Sequence, residues 1–245
     1  MIELDAVRKV YPGGQVALHE VSLRVAAGTT LALLGPSGCG KTTLLKLINR
    51  LLEPTAGRVV IDGEDSATLD PVALRRRIGY VVQEAGLFPH LTAADNAAVV
   101  PDLLGWPAER QRQRVHELFA LLGLDPAQIA ARFPSQLSGG QRQRVGLARA
   151  LAADPSILLM DEPFGALDPL IRARLQDEFR DLQARLAKTV VIVTHDVDEA
   201  FRLADAVAVL DAGRVVQIGT PAEIRRAPAS PFVAAFIARR EALPE

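Results

Sequence analysis

Gly35-Pro36-Ser37-Gly38-Cys39-Gly40-Lys41-Thr42-Thr43 lies between an apolar run, Thr30-Leu31-Ala32-Leu33-Leu34, and a helix-patterned one, Leu44-Leu45-Lys46-Leu47-Ile48. Strand, glycine loop and helix in that order are the context that the phosphate-loop pattern G-x-x-x-x-G-K-[ST] requires. Gly35, Gly38 and Gly40 permit positive backbone dihedrals and close approach, so successive N–H groups can turn inward around an anion. The helix that opens near Lys41 adds the positive end of its dipole. Lys41 is expected to reach the β- and γ-phosphates of a nucleoside triphosphate, the Thr42 hydroxyl to ligate a magnesium ion bridging them, and Thr43 to donate on the α-phosphate side.

A chain of 245 residues can bury a sizeable core, and one large domain, or a core with one inserted subdomain, is the expectation. Net charge is −1 at pH 7, with no basic field of the kind a general nucleic-acid binder shows. No apolar run approaches the roughly 20 residues needed to cross a bilayer, and Met1-Ile2-Glu3-Leu4-Asp5 lacks the layout of a signal peptide. A soluble cytoplasmic protein is expected. Cys39 is the only cysteine, which excludes an intrachain disulfide and a multi-cysteine metal site. Neighbouring N–H groups can lower its pKa, but a small residue that fits the loop is the reading preferred.

Alternation predicts strands over Ile2 to Val10 and His19 to Val25, joined by the Pro12-Gly13-Gly14 turn. Tyr11, at that turn, can stack on an adenine base or simply pack. After the Lys41 helix come a strand from Gly57 to Asp62 and a polar helix from Leu69 to Arg77, whose Arg75-Arg76-Arg77 reads as a solvated face. The buried-type run Ile78-Gly79-Tyr80-Val81-Val82 ends at Gln83, which can offer its carbonyl to a metal or its amide to a water. From Glu84 to Asp154 the pattern is helical, with segments Ala94 to Val100, Glu109 to Leu122 and Ala127 to Arg132.

Leu137-Ser138-Gly139-Gly140-Gln141 then precedes an arginine-rich amphipathic helix. Ser138 is a good N-cap, and two glycines at a helix start again let N–H groups face a phosphate. Asp161-Glu162 stand at the carboxyl end of the apolar strand Ile157 to Met160, where open α/β sheets bind ligands. Asp161 fits the carboxylate that holds magnesium, and Glu162 the base that polarises an attacking water. Thr189 to Val193 ends at Thr194-His195-Asp196, where His195 can contact a γ-phosphate. A hairpin around Ala212-Gly213 and helices from Pro221 to Arg226 and Pro231 to Ala238 complete the chain.

Together these elements resemble the ATP-binding subunit of an ABC transporter, over essentially the whole chain. The resemblance implies an α/β P-loop NTPase fold: an ABC ATPase core with a mixed sheet, an N-terminal antiparallel β subdomain and an inserted helical subdomain. On that reading 1–245 is a single ATP-binding domain, with 1–90 and 154–245 as ATPase core and 91–153 as the helical subdomain carrying the signature. Tyr11 is implied as the adenine-stacking aromatic, Gly35 to Thr43 as Walker A, Gln83 as the Q-loop glutamine, and Ser138, Gly139, Gly140 and Gln141 as the signature. Asp161 and Glu162 are the implied Walker B pair, Asp168 part of the D-loop and His195 the switch histidine, with Glu162, His195 and Gln83 catalytic and Thr42, Gln83 and Asp161 ligating Mg2+. ATP and Mg2+ are the implied cofactors.

The family implies a head-to-tail homodimer with ATP between one chain's Walker A and the other's signature. It further implies two integral membrane permease subunits, an extracytoplasmic substrate-binding protein, no nucleic acid, and a place on the inner face of the cell membrane. The stretch Ile78 to Thr92, continuing through Asn96 and Val100-Pro101 to Leu103-Leu104-Gly105-Trp106, is similar to ATPases of bacterial importers for glycine betaine, carnitine, choline and related osmoprotectants. Those often carry C-terminal CBS modules; none is read here, so ionic-strength sensing through them is not expected. Phe88, Pro89 and His90 follow Gln83 where such importers receive the coupling helix of the membrane subunit. Importers of another small solute, a separate-subunit exporter and a soluble non-transport ABC ATPase stay open. A coiled-coil DNA-repair type does not fit, because no sustained heptads separate Lys41 from Ser138.

Overall fold

Alternating apolar positions build β1 (Ile2–Val10) and β2 (Val16–Val25), which bury Ile2, Leu4, Val7, Leu18, Val21, Leu23 and Val25. The computed structural model describes residues 1–83, 85–165 and 167–238. β3 (Thr30–Leu34) is buried at every residue and is followed by α1 (Lys41–Ile48), β4 (Ala56–Ile61) and the short β5 (Glu64–Asp65). After α2 (Pro71–Arg76) come β6 (Ile78–Val81), α3 (Ala93–Leu103), α4 (Ala108–Leu121), α5 (Pro126–Ile129), α6 (Gly139–Leu151), β7 (Ile157–Asp161) and α7 (Pro169–Leu186). β8 (Thr189–Thr194), α8 (Val197–Leu203), β9 (Ala206–Asp211), β10 (Arg214–Gly219), α9 (Pro221–Arg226) and α10 (Pro231–Ala238) finish the described chain.

The chain divides into two units, Met1–Leu74 with the segment from Ala187 onward, and Arg75–Leu186. The first unit holds an antiparallel sheet in the order β2-β1-β4-β5 and a second set of strands in the order β10-β9-β3-β8. In the second set β3 runs parallel to both β8 and β9, and β10 closes the edge antiparallel to β9. A strand flanked by two parallel neighbours must be apolar on both faces. Every residue of β3 and β8 is buried, and all but Thr30, Thr189 and Thr194 are apolar. Ala32, Leu34, Val207 and Val209 pack with Val197, Ala200, Ile224 and Val233 from the helices that follow, and Phe232 and Phe236 cover this cluster.

In the second unit α3, α4 and α6 pack on one another, and β6 runs parallel to β7. Val115, Leu118 and Phe119 form the buried stripe of α4 at helical spacing. Gly79 sits in β6 because an added Cβ would stand 2.5 Å from the carbonyl oxygen of Ala150. Arg75 and Arg76 are half-buried rather than fully solvated, a departure from the expected polar face. Among the described residues no helix is long and apolar enough to cross a membrane.

Candidate nucleotide site

In the first unit the glycine loop leaves β3 at Gly35 and enters α1 at Gly40. A Cβ on Gly35 would stand 2.3 Å from the Leu210 carbonyl oxygen, and one on Gly40 would stand 2.8 Å from that of Ala17. Gly40 adopts φ +105°, which an L side chain rarely takes. The backbone is therefore folded tightly against its neighbours before any ligand is considered. Lys41, 5% exposed, donates from Nζ to the carbonyl oxygens of Gly35 at 2.7 Å and Pro36 at 2.8 Å. Those bonds hold an ammonium group at the N-terminus of α1, where helix dipole and charge both favour phosphate. The residues fit a nucleoside triphosphate.

Cys39 is buried within this loop, 3.9 Å from Lys41 Nζ. Burial pushes its thiol pKa up, and the nearby Lys41 charge only partly offsets that. The preferred reading, a small residue that fits, matches this environment. Tyr11 is half-buried, and its hydroxyl lies 3.2 Å from Thr43 Oγ1. Leu34 pairs with Thr194 in the parallel β3–β8 register, so Gly35 and His195 leave the sheet as neighbours at the same strand end. His195 is exposed there, and Asp196 beside it caps α8 by accepting from the Asp198 and Glu199 amides at 3.0 and 3.2 Å.

In the second unit Val81 pairs with Met160, which brings Gln83, Asp161 and Glu162 to one strand end. Asp161 is 8% exposed. Its negative charge, after burial, is the second cause that lifts the Tyr80 hydroxyl to about 12. Glu162 takes φ +46°, a left-handed conformation that is costly for a residue with a Cβ and that clusters at functional sites. Gln83 Nε2 donates to Glu162 Oε2 over 3.5 Å.

Ser138 caps α6 as its residue type predicts. Its Oγ accepts from the Gln141 amide at 3.2 Å, and Gln141 Oε1 accepts from the Ser138 amide at 2.9 Å. The glycine pair has a second reason to be there: a Cβ on Gly140 would come 3.2 Å from Ile171 Cγ2, so α6 and α7 approach closely at that point. Asp168 Oδ1 accepts from the Leu170 amide at 3.0 Å as α7 begins. Glu84, inside the stretch compared with osmoprotectant importers, and Ala166, inside the turn before Pro169, lie outside the described residues.

Among the described residues no group of three or more His, Cys, Asp or Glu side chains gathers to hold a metal by itself. Magnesium arriving on phosphates needs only one or two protein oxygens.

Two residues whose importance the sequence does not announce are Asn96 and Arg149. Asn96 is fully buried; its Oδ1 accepts from the Phe88 amide at 2.7 Å, and its Nδ2 donates to the carbonyls of Phe88, Leu91 and Thr92 at 3.1, 3.1 and 3.0 Å. Arg149 donates to the carbonyls of Ala85 and Gly86, both at 2.8 Å. Their partners are backbone groups, four to eight residues away for Asn96 and more than sixty for Arg149, and a backbone carbonyl carries no residue identity that a sequence pattern could show.

A phosphate loop of this build, in a chain whose parallel strands deliver carboxylates and a histidine to their carboxyl ends, defines a P-loop nucleotide-binding cassette. Residues 18–165 match the ABC transporter family model, and the chain belongs to that family. It is 54% identical over 239 residues to the glycine betaine/carnitine/choline transport ATP-binding protein OpuCA of Bacillus subtilis (strain 168), covering 98% of this chain and 63% of that protein. It is 49% identical over 241 residues to the glycine betaine uptake system ATP-binding protein YehX of Escherichia coli (strain K12), covering 98% of this chain and 78% of that protein. A solved ATP-binding cassette, a dimer in a post-hydrolysis state bound to ADP and Pi, matches with TM-score 0.81 and 36% identity over 90% of this chain and 99% of its own. The chain thus spans less than two thirds of the length of OpuCA.

Proposed function

We propose that this chain binds ATP with Mg2+ and hydrolyses it to power a bacterial importer of an osmoprotectant or related quaternary amine, such as glycine betaine, carnitine or choline. The observation that carries the ATPase reading is the presence of two anion-binding helix starts in one chain, at Lys41 and at Ser138. A single nucleotide needs one such start on its phosphates. Two are accounted for when each completes the site of a second copy, in a head-to-tail homodimer that ATP closes and hydrolysis reopens.

In this reading Tyr11 stacks on the adenine, and the loop from Gly35 to Thr43 wraps the phosphates. Thr42, Asp161 and Gln83 supply oxygens to the magnesium that ATP brings, which neutralises charge on the β- and γ-oxygens. Glu162 polarises the attacking water, and His195 reads the γ-phosphate from the end of β8. Ser138 to Gln141 donate to the γ-phosphate held by the partner copy. Phosphoryl transfer then rests on positioning and electrostatics, with little covalent work for the protein.

The substrate class rests on the likeness to ATP-binding proteins of betaine, carnitine and choline transport along nearly the whole chain. Two integral membrane permease subunits and an extracytoplasmic binding protein complete the complex, with the ATPase on the cytoplasmic face of the membrane. The test is co-expression with the permease and binding-protein subunits of a betaine importer in a host lacking betaine uptake. ATP-dependent accumulation of labelled glycine betaine or choline is expected. Uptake of an unrelated solute, efflux, or ATP hydrolysis with no permease association would each replace the importer reading.

A further inference from the structure

The segment that follows Gln83 has an unusual backbone: Ala85 at φ +61° and Gly86 at φ +50° are consecutive left-handed residues. Alanine does not choose that conformation by itself. Ala85 is nonetheless buried, and what holds the turn is α6. Arg149, near the C-terminal end of that helix, donates one guanidinium nitrogen to the Ala85 carbonyl and another to the Gly86 carbonyl, each at 2.8 Å. Its guanidinium also lies 5.7 Å from the centroid of the Phe88 ring. One turn earlier, Gly146 lets the helix touch this turn directly, since a Cβ there would stand 3.1 Å from that of Ala85. Burial disfavours the charged guanidinium, lowering its pKa, so the two carbonyl bonds offset a real desolvation cost.

α6 thus has a task at each end. Its first turn is the capped Ser138-to-Gln141 start; its last turn grips the backbone between Gln83 and Phe88. An α-helix of this length is stiff, and the two ends are separated by about 16 Å of continuous rise. We propose that Arg149 is a positioning residue that makes the Ala85–Phe88 segment move as one body with the signature helix, so that a displacement of Ser138 resets Gln83 beside Glu162. Asn96 pins the far side of the same loop to α3, which leaves the Gln83 side dependent on Arg149. This inference rests on the roles proposed above for Gln83, Glu162 and the signature.

The experiment uses the full chain in three variants: Arg149→Met, Arg149→Lys and Leu147→Ala. Leu147 is buried on the same helix and takes no part in the Ala85 contact, so its truncation reports what destabilising α6 alone does. Arg149→Met is expected to lower kcat at least ~10-fold with KM for MgATP within about 2-fold, because small misplacements of catalytic groups carry large rate costs. Arg149→Lys should recover part of kcat, and Leu147→Ala at a comparable loss of Tm should keep kcat near the parent value. Equal kcat losses in Arg149→Met and Leu147→Ala, or a wild-type kcat in Arg149→Met, overturn the proposal.

Hydrogen exchange separates this inference from the ATPase reading, since it needs no turnover. MgATP should slow exchange of the 85–88 amides in Glu162→Gln but not in Glu162→Gln combined with Arg149→Met. The same slowing in both overturns the latch. Exchange as expected in a parent chain that hydrolyses no ATP would instead remove the catalytic reading and leave the latch in place.

Discussion

Gln83 Nε2 reaches Glu162 Oε2 across 3.5 Å, at the shared end of two parallel strands. The bond is long, and Glu162 keeps a left-handed backbone beside it. That contact orients the carboxylate at the strand end, where it can serve as the base proposed to accept a proton from water. Glu162→Gln preserves size and the backbone while removing the basic oxygen. ATP binding should persist and hydrolysis should fall at least ~10²-fold, the low end for losing a general base. Phosphate release and nucleotide titration on one preparation decide it; turnover near the parent level would take the role from Glu162.

Lys41 ties its own loop together through the carbonyls of Gly35 and Pro36. Lys41→Ala therefore removes the charge proposed to face phosphate and also two loop restraints. Each charge-assisted bond is worth about 1.5–3 kcal/mol, so ATP affinity should fall by at least ~10-fold. Titration with a fluorescent ATP analogue measures this, and unchanged affinity would contradict the phosphate role.

The phosphate loop, the Ser138 cap and the strand ends were legible because each is written in contiguous residues with their own local physics. Glycines announce a tight turn, a serine followed by glutamine three positions later announces a cap, and apolar β-branched runs announce buried strands. Helix and strand limits moved by only a few residues, as with β2, which begins at Val16 rather than His19 because the strand pairs on past the apolar stretch. Arg114 lies on an amphipathic helix whose spacing marks no partner for it, yet it donates to the carbonyls of Leu151 and Ala152 at 3.1 and 3.2 Å. Arg144 likewise donates to the Leu122 carbonyl at 2.7 Å. Such bonds link a side chain to a distant backbone carbonyl, and carbonyls carry no residue identity. The second reason for Gly140, close approach to Ile171, is hidden in the same way.

Asn96 makes four hydrogen bonds to the backbone of the 88–92 turn from a fully buried position. Asn96→Ala strands the Phe88 N–H and the Leu91 carbonyl, while the Phe88 and Thr92 carbonyls keep the Leu91 and Asn96 amides; each stranded group costs about 1–3 kcal/mol where water cannot replace the bond. Relaxation recovers part of this, so a loss of about 2–3 kcal/mol is expected. Urea unfolding at constant m-value reads it directly. A shift within error of zero would show that the turn holds without its clamp.

Tyr80 provides a pH marker for the strand end. Burial, then the negative charge of Asp161, raises its hydroxyl from the ordinary 10.0 to about 12. For an acid with a raised folded pKa, the neutral form is the one the fold accommodates. The stability it contributes is whole below pH 10.0 and is lost as pH climbs through about 12. Phenolate absorbance should show a step near that upper value, absent in Tyr80→Phe and shifted downward in Asp161→Asn. No change in Asp161→Asn would leave burial as the sole cause.

Phe88 is 42% exposed although its backbone is held at both polar atoms by Asn96, and its ring faces that of His90 at 6.0 Å. A large aromatic side chain kept partly in water on a clamped backbone gains nothing for folding by its exposure, and such anchors are what interfaces use. If this is the socket for a membrane subunit's coupling helix, the socket's energy lies mainly in covering that ring. Phe88→Asp places a charge where an apolar partner would sit, and burying it unpaired costs several kcal/mol. The variant should fold with nearly the parent Tm, because the replaced ring surface is already partly solvated. Co-purification with the permease subunits and betaine uptake should both be lost. Phe88→Leu, which keeps an apolar surface, should retain most of each. Intact assembly and transport in Phe88→Asp would move the socket elsewhere, whereas loss of assembly in Phe88→Leu as well would show that the aromatic ring itself, rather than apolarity, is what the partner reads.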